Sequence, residues 1–162
     1  MTITKETVEK ILWEVSDPEI PVLSIMDMGI VRNVEIVKDH VIVTITPTYS
    51  GCPAMDEISS DIKSKLKNHD IDARVISVLS PAWTTDWITK NGRSKLEKYG
   101  IAPPLSHTAD KRALLDNERI VKCTNCGSTN TLMVSQFGST ACKALFKCED
   151  CLEPFDYFKC LK

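Results

Sequence analysis

The sequence predicts an α+β protein: a small mixed-sheet domain followed by a ribbon pinned by four cysteines. Three observations carry this. Apolar residues recur in the order helix, strand, strand, helix, strand over the first half. Two CxxC pairs, Cys123-Thr124-Asn125-Cys126 and Cys148-Glu149-Asp150-Cys151, stand twenty-one residues apart near the other end. Between these regions Ile101-Ala102-Pro103-Pro104 breaks every periodicity. The expected division is a first domain at residues 1–102 with a helical extension, a linker at 103–120, and the ribbon at 121–162.

Thr4 to Val15 places Val8, Ile11, Leu12 and Val15 on one helical face, with Glu6 and Glu9 early where the helix dipole favours them. The prolines of Asp17-Pro18-Glu19-Ile20-Pro21 must end that helix. Ile30 to Val37 and Val41 to Ile45, split by Lys38-Asp39-His40, read as a hairpin, and the second run is apolar on both faces, so it is expected to be the more central strand. The loop Thr46 to Pro53 leads into a helix carrying Met55, Ile58, Ile62 and Leu66, with Pro53 at its first position and Cys52 at its N-cap. Arg74 to Leu79 is a third strand, expected beside one of the hairpin strands. Trp83, Trp87 and Ile88 open a further helical stretch weakened at Asn91-Gly92 and stopped at Gly100. Leu105 to Ile120 has no firm pattern beyond a turn near Ala113 to Asp116.

The four paired cysteines are the strongest chemical signal. Each pair can wrap two sulfurs around one face of a cation, and two pairs complete the tetrahedral thiolate set of a structural zinc ion. Gly127 suits the tight turn after the first pair, and Thr131 to Phe137 with Ala141 to Lys147 read as ribbon strands joined at Gly138-Ser139. Iron at the same four sulfurs, as in a rubredoxin-like electron carrier, is the competing assignment; the second pair lacks a following glycine, which favours zinc. Cys142 and Cys160 remain and are expected to be buried structural thiols, Cys160 on a strand made by Phe155 to Cys160.

Cys52 is the notable single residue. A thiol at a helix N-terminus meets unpaired amides, which favour thiolate, so it either handles a metal transiently or merely caps the helix. Asp17 and Glu19, in their proline-bounded loop, either approach Cys52 as carboxylate ligands or cap a turn. Trp83 and Trp87, four apart, are read as packing residues or as a docking surface for a partner.

Composition restricts the rest. A net charge of -2 and a pI near 5.9 give no electrostatic case for nucleic acid. No stretch reaches the roughly 18 apolar residues of a membrane span, and Met1 to Glu6 has no leader pattern, so a cytoplasmic protein with reduced thiols is expected. His40, His69 and His107 are scattered, with no HExxH, GxxxxGK[ST] or GxGxxG, and no catalytic residue is assigned.

Seven stretches carry two resemblances. Asp17-Pro18-Glu19-Ile20-Pro21, Asp27-Met28-Gly29-Ile30-Val31 and Thr46 to Pro53 resemble the iron-sulfur assembly domain of SufT and of the eukaryotic cytosolic targeting proteins. Ser80 to Ile88, Tyr99 to Pro104, Phe137 to Leu145 and Cys151 to Lys159 resemble the PaaD family, also called PaaJ, nearly end to end. The resemblance implies a non-catalytic accessory protein of the multicomponent phenylacetyl-CoA epoxidase. It would act in phenylacetate catabolism by helping to mature an iron or iron-sulfur centre in an oxygenase or reductase subunit. Under it, Cys52 matches the assembly-domain cysteine, Asp17 and Glu19 its acidic loop, and Cys123, Cys126, Cys148 and Cys151 the ribbon ligands. Cys142 and Cys160 match recurring positions. A purely structural docking role in the complex, and a dimeric state, stay open.

Overall fold

The structure, a computed structural model, describes residues 2–159, apart from the side chains of residues 107–109; Cys160 lies outside the described residues. Its backbone contacts fall into two compact units, residues 1–92 and 93–162.

In the first unit, helix α1 (Lys5–Leu12) starts where the Thr4 hydroxyl accepts the Thr7 amide. It buries Val8, Ile11 and Leu12. The helix ends before Val15 because Glu14 and Val15 bond back three residues, to Ile11 and Leu12, which tightens the last turn. Val15 is nonetheless buried, so the apolar spacing reported packing faithfully and overran the helix.

Strands β1 (Val31–Val37) and β2 (His40–Ile45) form the expected antiparallel hairpin. Helix α2 (Ala54–Lys67) then crosses over to β3 (Asp72–Ser77), which pairs parallel with β2 from His40↔Asp72 to Ile45↔Ser77. The order β1-β2-β3 puts β2 in the centre, as its two apolar faces imply. Val41, Val43 and Ile45 on β2 are fully buried, as are Ile62 and Leu66 on α2. Asp56 and Glu57 open α2 and Lys65 and Lys67 close it, the charge order its dipole favours.

The helix expected from Trp83 does not form there. Thr84 accepts the Asp86 amide through its hydroxyl, a local bond that competes with helix, and only a 3-10 turn at Thr85–Trp87 results. The helix α3 (Lys90–Tyr99) begins at Thr89, whose hydroxyl takes the Gly92 amide while donating to Asp27. Asn91-Gly92 is thus a first turn rather than a weak middle. Gly29, at φ 69, is a position only glycine fits: a Cβ would lie 2.5 Å from the Trp87 carbonyl oxygen.

The second unit holds a four-stranded sheet in the order β4-β7-β6-β5, from β4 (Ile101–Ala102), β5 (Thr131–Ser135), β6 (Lys143–Cys148) and β7 (Pro154–Phe158). The β5–β6 hairpin is the predicted ribbon, and β7 adds antiparallel to β6. Phe146 meets Tyr157 edge-on at 5.4 Å inside a core with Ala113, Val121 and Phe155.

Residues 103–120 are not an open linker. They contain helix α4 (His107–Leu115), whose buried Asp110 accepts the Tyr157 hydroxyl at 2.5 Å; the same hydroxyl accepts the Leu105 amide at 3.1 Å. The segment hides from a hydrophobicity pattern because one of its inward residues is a carboxylate. β4, expected in the first domain, belongs to this sheet, so the compact units divide at residues 92/93 rather than 102/103.

Candidate metal centre and the Cys52 loop

The two CxxC segments fold into knuckles of the same design. The Cys123 amide donates to the Ser128 carbonyl at 2.8 Å, and the Cys148 amide donates to the Glu153 carbonyl at 2.9 Å. The step along the chain that carries Cys123 to Cys148 also carries Cys126 to Cys151, Gly127 to Leu152 and Ser128 to Glu153. Gly127 has φ 77 and Leu152 φ 64, so both turns use the left-handed region although only the first has the residue suited to it. The missing second glycine, an argument for zinc in the sequence, is thus no obstacle to a second knuckle: Leu152 takes the strained conformation and stays 64% exposed.

The four sulfurs lie within 4.8 Å of one another. Cys123 and Cys151 Sγ are 3.6 Å apart, and Cys126 and Cys148 Sγ are 3.5 Å apart. A tetrahedron with about 2.3 Å zinc–sulfur bonds has edges of roughly 3.8 Å, so the donor set fits one tetrahedral ion with a small outward relaxation. Proton sharing among the four thiols is uneven. The Asn125 side chain and the Glu153 amide draw the Cys151 thiol down to about 6, against burial. At Cys126 the Ser128 amide pulls down, but the neighbouring thiol of Cys148, burial, and the thiols of Cys151 and Cys123 outweigh it and push the group up to about 12. A divalent cation removes this conflict by taking all four as thiolates.

Cys142 is buried beside the ribbon, its sulfur 3.1 Å from the Thr140 hydroxyl and outside the four-sulfur group.

Cys52 sits in a different setting. It lies one residue before the Pro53 cap of α2 and is half-buried, with the Ala54 amide at the start of the helix reaching its sulfur. Burial pushes its thiol up. The Ala54 amide pulls against this, the Glu19 carboxylate adds to it, and the Tyr49 and Thr48 hydroxyls oppose it. The net direction is upward, so the expectation of a thiolate favoured by the dipole is corrected: partial burial and a nearby carboxylate outweigh the Ala54 amide at the helix start.

The acidic pair divides its roles. Glu19 is close enough for its charge to act on Cys52. Asp17 is buried and its Oδ1 accepts the amides of Glu19 at 2.8 Å and Ile20 at 2.9 Å, an Asx turn that fixes the loop. Thr48 and Tyr49, not among the residues singled out from the sequence, supply the hydroxyls around the thiol. Their place inside the Thr46 to Pro53 loop was the available signal.

Trp83 and Trp87 do not form one exposed face. Trp83 is buried, with its indole N–H donating to the Met28 carbonyl at 2.8 Å, which removes it as a docking residue. Trp87 is half-buried, closing over Gly29 with the Arg32 guanidinium 3.5 Å from its ring centre. No helix among the described residues is long and apolar enough to cross a membrane.

A mixed sheet crossed over by one helix, with a cysteine in the loop at the crossover, followed by a four-sulfur ribbon, defines an iron-sulfur assembly-type domain carrying a zinc ribbon. The iron-sulfur cluster assembly protein family matches residues 5–78 and the PaaD zinc beta ribbon domain matches residues 107–159. The chain is 47% identical over 93% of its length to the putative D subunit of 1,2-phenylacetyl-CoA epoxidase from Escherichia coli, covering 90% of that protein. It therefore belongs to the PaaD family of phenylacetyl-CoA epoxidase D subunits. A 32% identical relative, the Fe-S protein maturation auxiliary factor of Porphyromonas gingivalis, matches 57% of the chain and 90% of its own length. Among solved structures, a domain of unknown function (DUF59) from Bacillus anthracis aligns at TM-score 0.54 and 26% identity over 57% of this chain and 90% of its own. A conserved hypothetical protein from Thermotoga maritima aligns at TM-score 0.51 and 29% identity over 59% of this chain and 98% of its own.

Proposed function

We propose that the chain is a non-catalytic accessory factor that helps mature an iron or iron-sulfur centre in a partner subunit of a phenylacetyl-CoA epoxidase. The observation that carries this is the half-buried thiol of Cys52, on which the Ala54 amide, the Glu19 charge and the Tyr49 and Thr48 hydroxyls act. A thiol kept protonated by burial and a carboxylate is a poor free nucleophile. The same carboxylate becomes an asset once a cation arrives, because it attracts the cation, whose own positive charge then releases the thiol proton. The site offers few protein donors, so iron bound there keeps positions open for a recipient. The ribbon sulfurs, in contrast, complete a closed set and hold a structural zinc ion through Cys123, Cys126, Cys148 and Cys151. The match to an epoxidase D subunit along nearly the whole chain, and to a maturation factor over 57% of it, supports the choice of client.

The test is to co-express the epoxidase subunits with this chain or its Cys52→Ala variant and to measure iron per purified subunit. A severalfold fall in one subunit's iron, with the variant folded and its ribbon loaded, is expected. Unchanged iron and epoxidase activity would overturn the reading.

A second reading is favoured by the Leu152 turn. Because both knuckles have the same backbone, iron at the four cysteines and an electron-carrier role fit the geometry as well as zinc does. Strong visible absorption of the purified protein, with one iron per chain, would establish it; a colourless protein with one zinc would exclude it.

A further inference from the structure

The two knuckles differ most tellingly at the residue before the second cysteine. The step that superposes their cysteines places Asn125 on Asp150, and each side chain crosses to the opposite knuckle. Asn125 donates its own amide to Cys123 Sγ at 3.3 Å and its side-chain Nδ2 to Cys151 Sγ at 3.5 Å. Asp150 cannot repeat this, since a carboxylate beside metal-bound sulfur sets like charges together. Its oxygens instead accept the Ser128 hydroxyl at 2.5 Å and the Asn130 side-chain amide at 2.8 Å. Both knuckles are thereby joined by side chains, alongside one backbone bond from the Glu149 amide to the Asn130 carbonyl at 2.8 Å.

We propose that Asn125 and Asp150 are positioning residues that lock the ion into the ribbon, Asn125 through the Cys151 sulfur and Asp150 through Ser128 and Asn130. An ion leaves a four-thiolate site by losing sulfurs in turn, which requires the knuckles to part. Both crossings resist that parting, and the Asn125 N–H also steadies charge on the sulfur it reaches. The ion is then a resident of the chain and exchanges slowly. This holds whatever Cys52 carries.

The experiment uses the full chain loaded with Zn(II), and separately with Co(II) as a visible probe, challenged by excess chromogenic chelator. Asn125→Ala and Asp150→Ala are each expected to release metal about 10-fold or more faster than the parent, the scale on which groups behind metal ligands act. Asp150→Asn keeps an acceptor for Ser128 and is expected to recover part of the retention. Asn125→Ala is also expected to shift the thiolate-to-cobalt charge-transfer band, because it removes a sulfur hydrogen bond, whereas Asp150→Ala leaves the band in place. Should Asp150→Ala fail to fold, Ser128→Ala removes one bond of the same clasp and must itself speed release. Release within twofold of the parent for Asn125→Ala together with Asp150→Ala or Ser128→Ala, or an unmoved band in Asn125→Ala, would overturn the proposal.

Discussion

Sulfur is used in two opposite ways in this chain, and the contrast lies in how many donors the fold supplies. The ribbon brings four sulfurs within 4.8 Å and ties their knuckles together, so the site is finished before any partner arrives. At Cys52 one thiol meets the charge of Glu19 and the hydroxyls of Thr48 and Tyr49, and burial pushes the thiol up. A finished site stabilises a fold; an unfinished one has room for exchange. Closure of the ribbon is visible in its geometry, and exchange at Cys52 is the proposal that the contrast motivates.

The contrast breaks most decisively if the ribbon does not need its ion. Removing zinc with a strong chelator is expected to unfold the second unit, since metal-linked folding in small cysteine sites is worth on the order of 10 kcal/mol. All three tryptophans, Trp13, Trp83 and Trp87, lie in the first unit, so their emission should hold steady while amide exchange in β5, β6 and β7 rises. Protection of those strands that survives chelation would show that the core around Phe146 and Tyr157 suffices alone.

A smaller effect probes the framework under the Cys52 loop. Gly29→Ala is expected to destabilise the first unit by about 2–3 kcal/mol, combining a clash with Trp87 and a left-handed backbone without glycine. Urea unfolding followed by tryptophan emission measures it, and a loss below about 0.5 kcal/mol would mean that the Trp87 turn shifts freely.

Next comes the charge on Cys52. Its raised thiol should alkylate more slowly near neutral pH than an unshifted cysteine, with the rate still climbing above the usual thiol range. Glu19→Gln removes a carboxylate that disfavours thiolate, so the rate at pH 8 should rise about twofold to fivefold. Peptide mapping separates Cys52 from Cys142. A slower reaction in Glu19→Gln would show that the carboxylate does not reach the thiol.

The smallest expected effect sharpens the comparison of the knuckles. Leu152→Gly should stabilise the zinc-loaded ribbon by about 0.5 kcal/mol, as relief of the left-handed strain exceeds the added freedom of the unfolded chain. Thermal midpoints of the loaded proteins would show it, and a lower midpoint would indicate that the exposed leucine makes a contact worth more than its strain.

Much of this was legible in the residues. The β1–β2 hairpin and the central place of β2 follow from where valine and isoleucine alternate or fill both faces, and the four ligands follow from spacing alone. What was hidden depends on partners distant in sequence or on one residue acting out of type. Asp110 reads as surface until Tyr157 gives it a buried bond. Trp83 reads as helix until the Met28 carbonyl claims its indole. Leu152 looks unfit for a knuckle because strain is invisible in composition. The direction of the Cys52 shift turns first on burial of the thiol and then on Glu19, more than thirty positions earlier, neither of which the local sequence shows.

The parallel pairing of β2 with β3 has an evolutionary corollary. Sheet register is fixed by contacts such as Val43↔Val75, and the stretch from Pro47 to Pro53 takes no part in that ladder. Residues there can be exchanged, added or lost without disturbing the scaffold, much as a tool is changed in a fixed holder. Sequence change in that loop can alter the surroundings of Cys52 while leaving how the chain folds untouched.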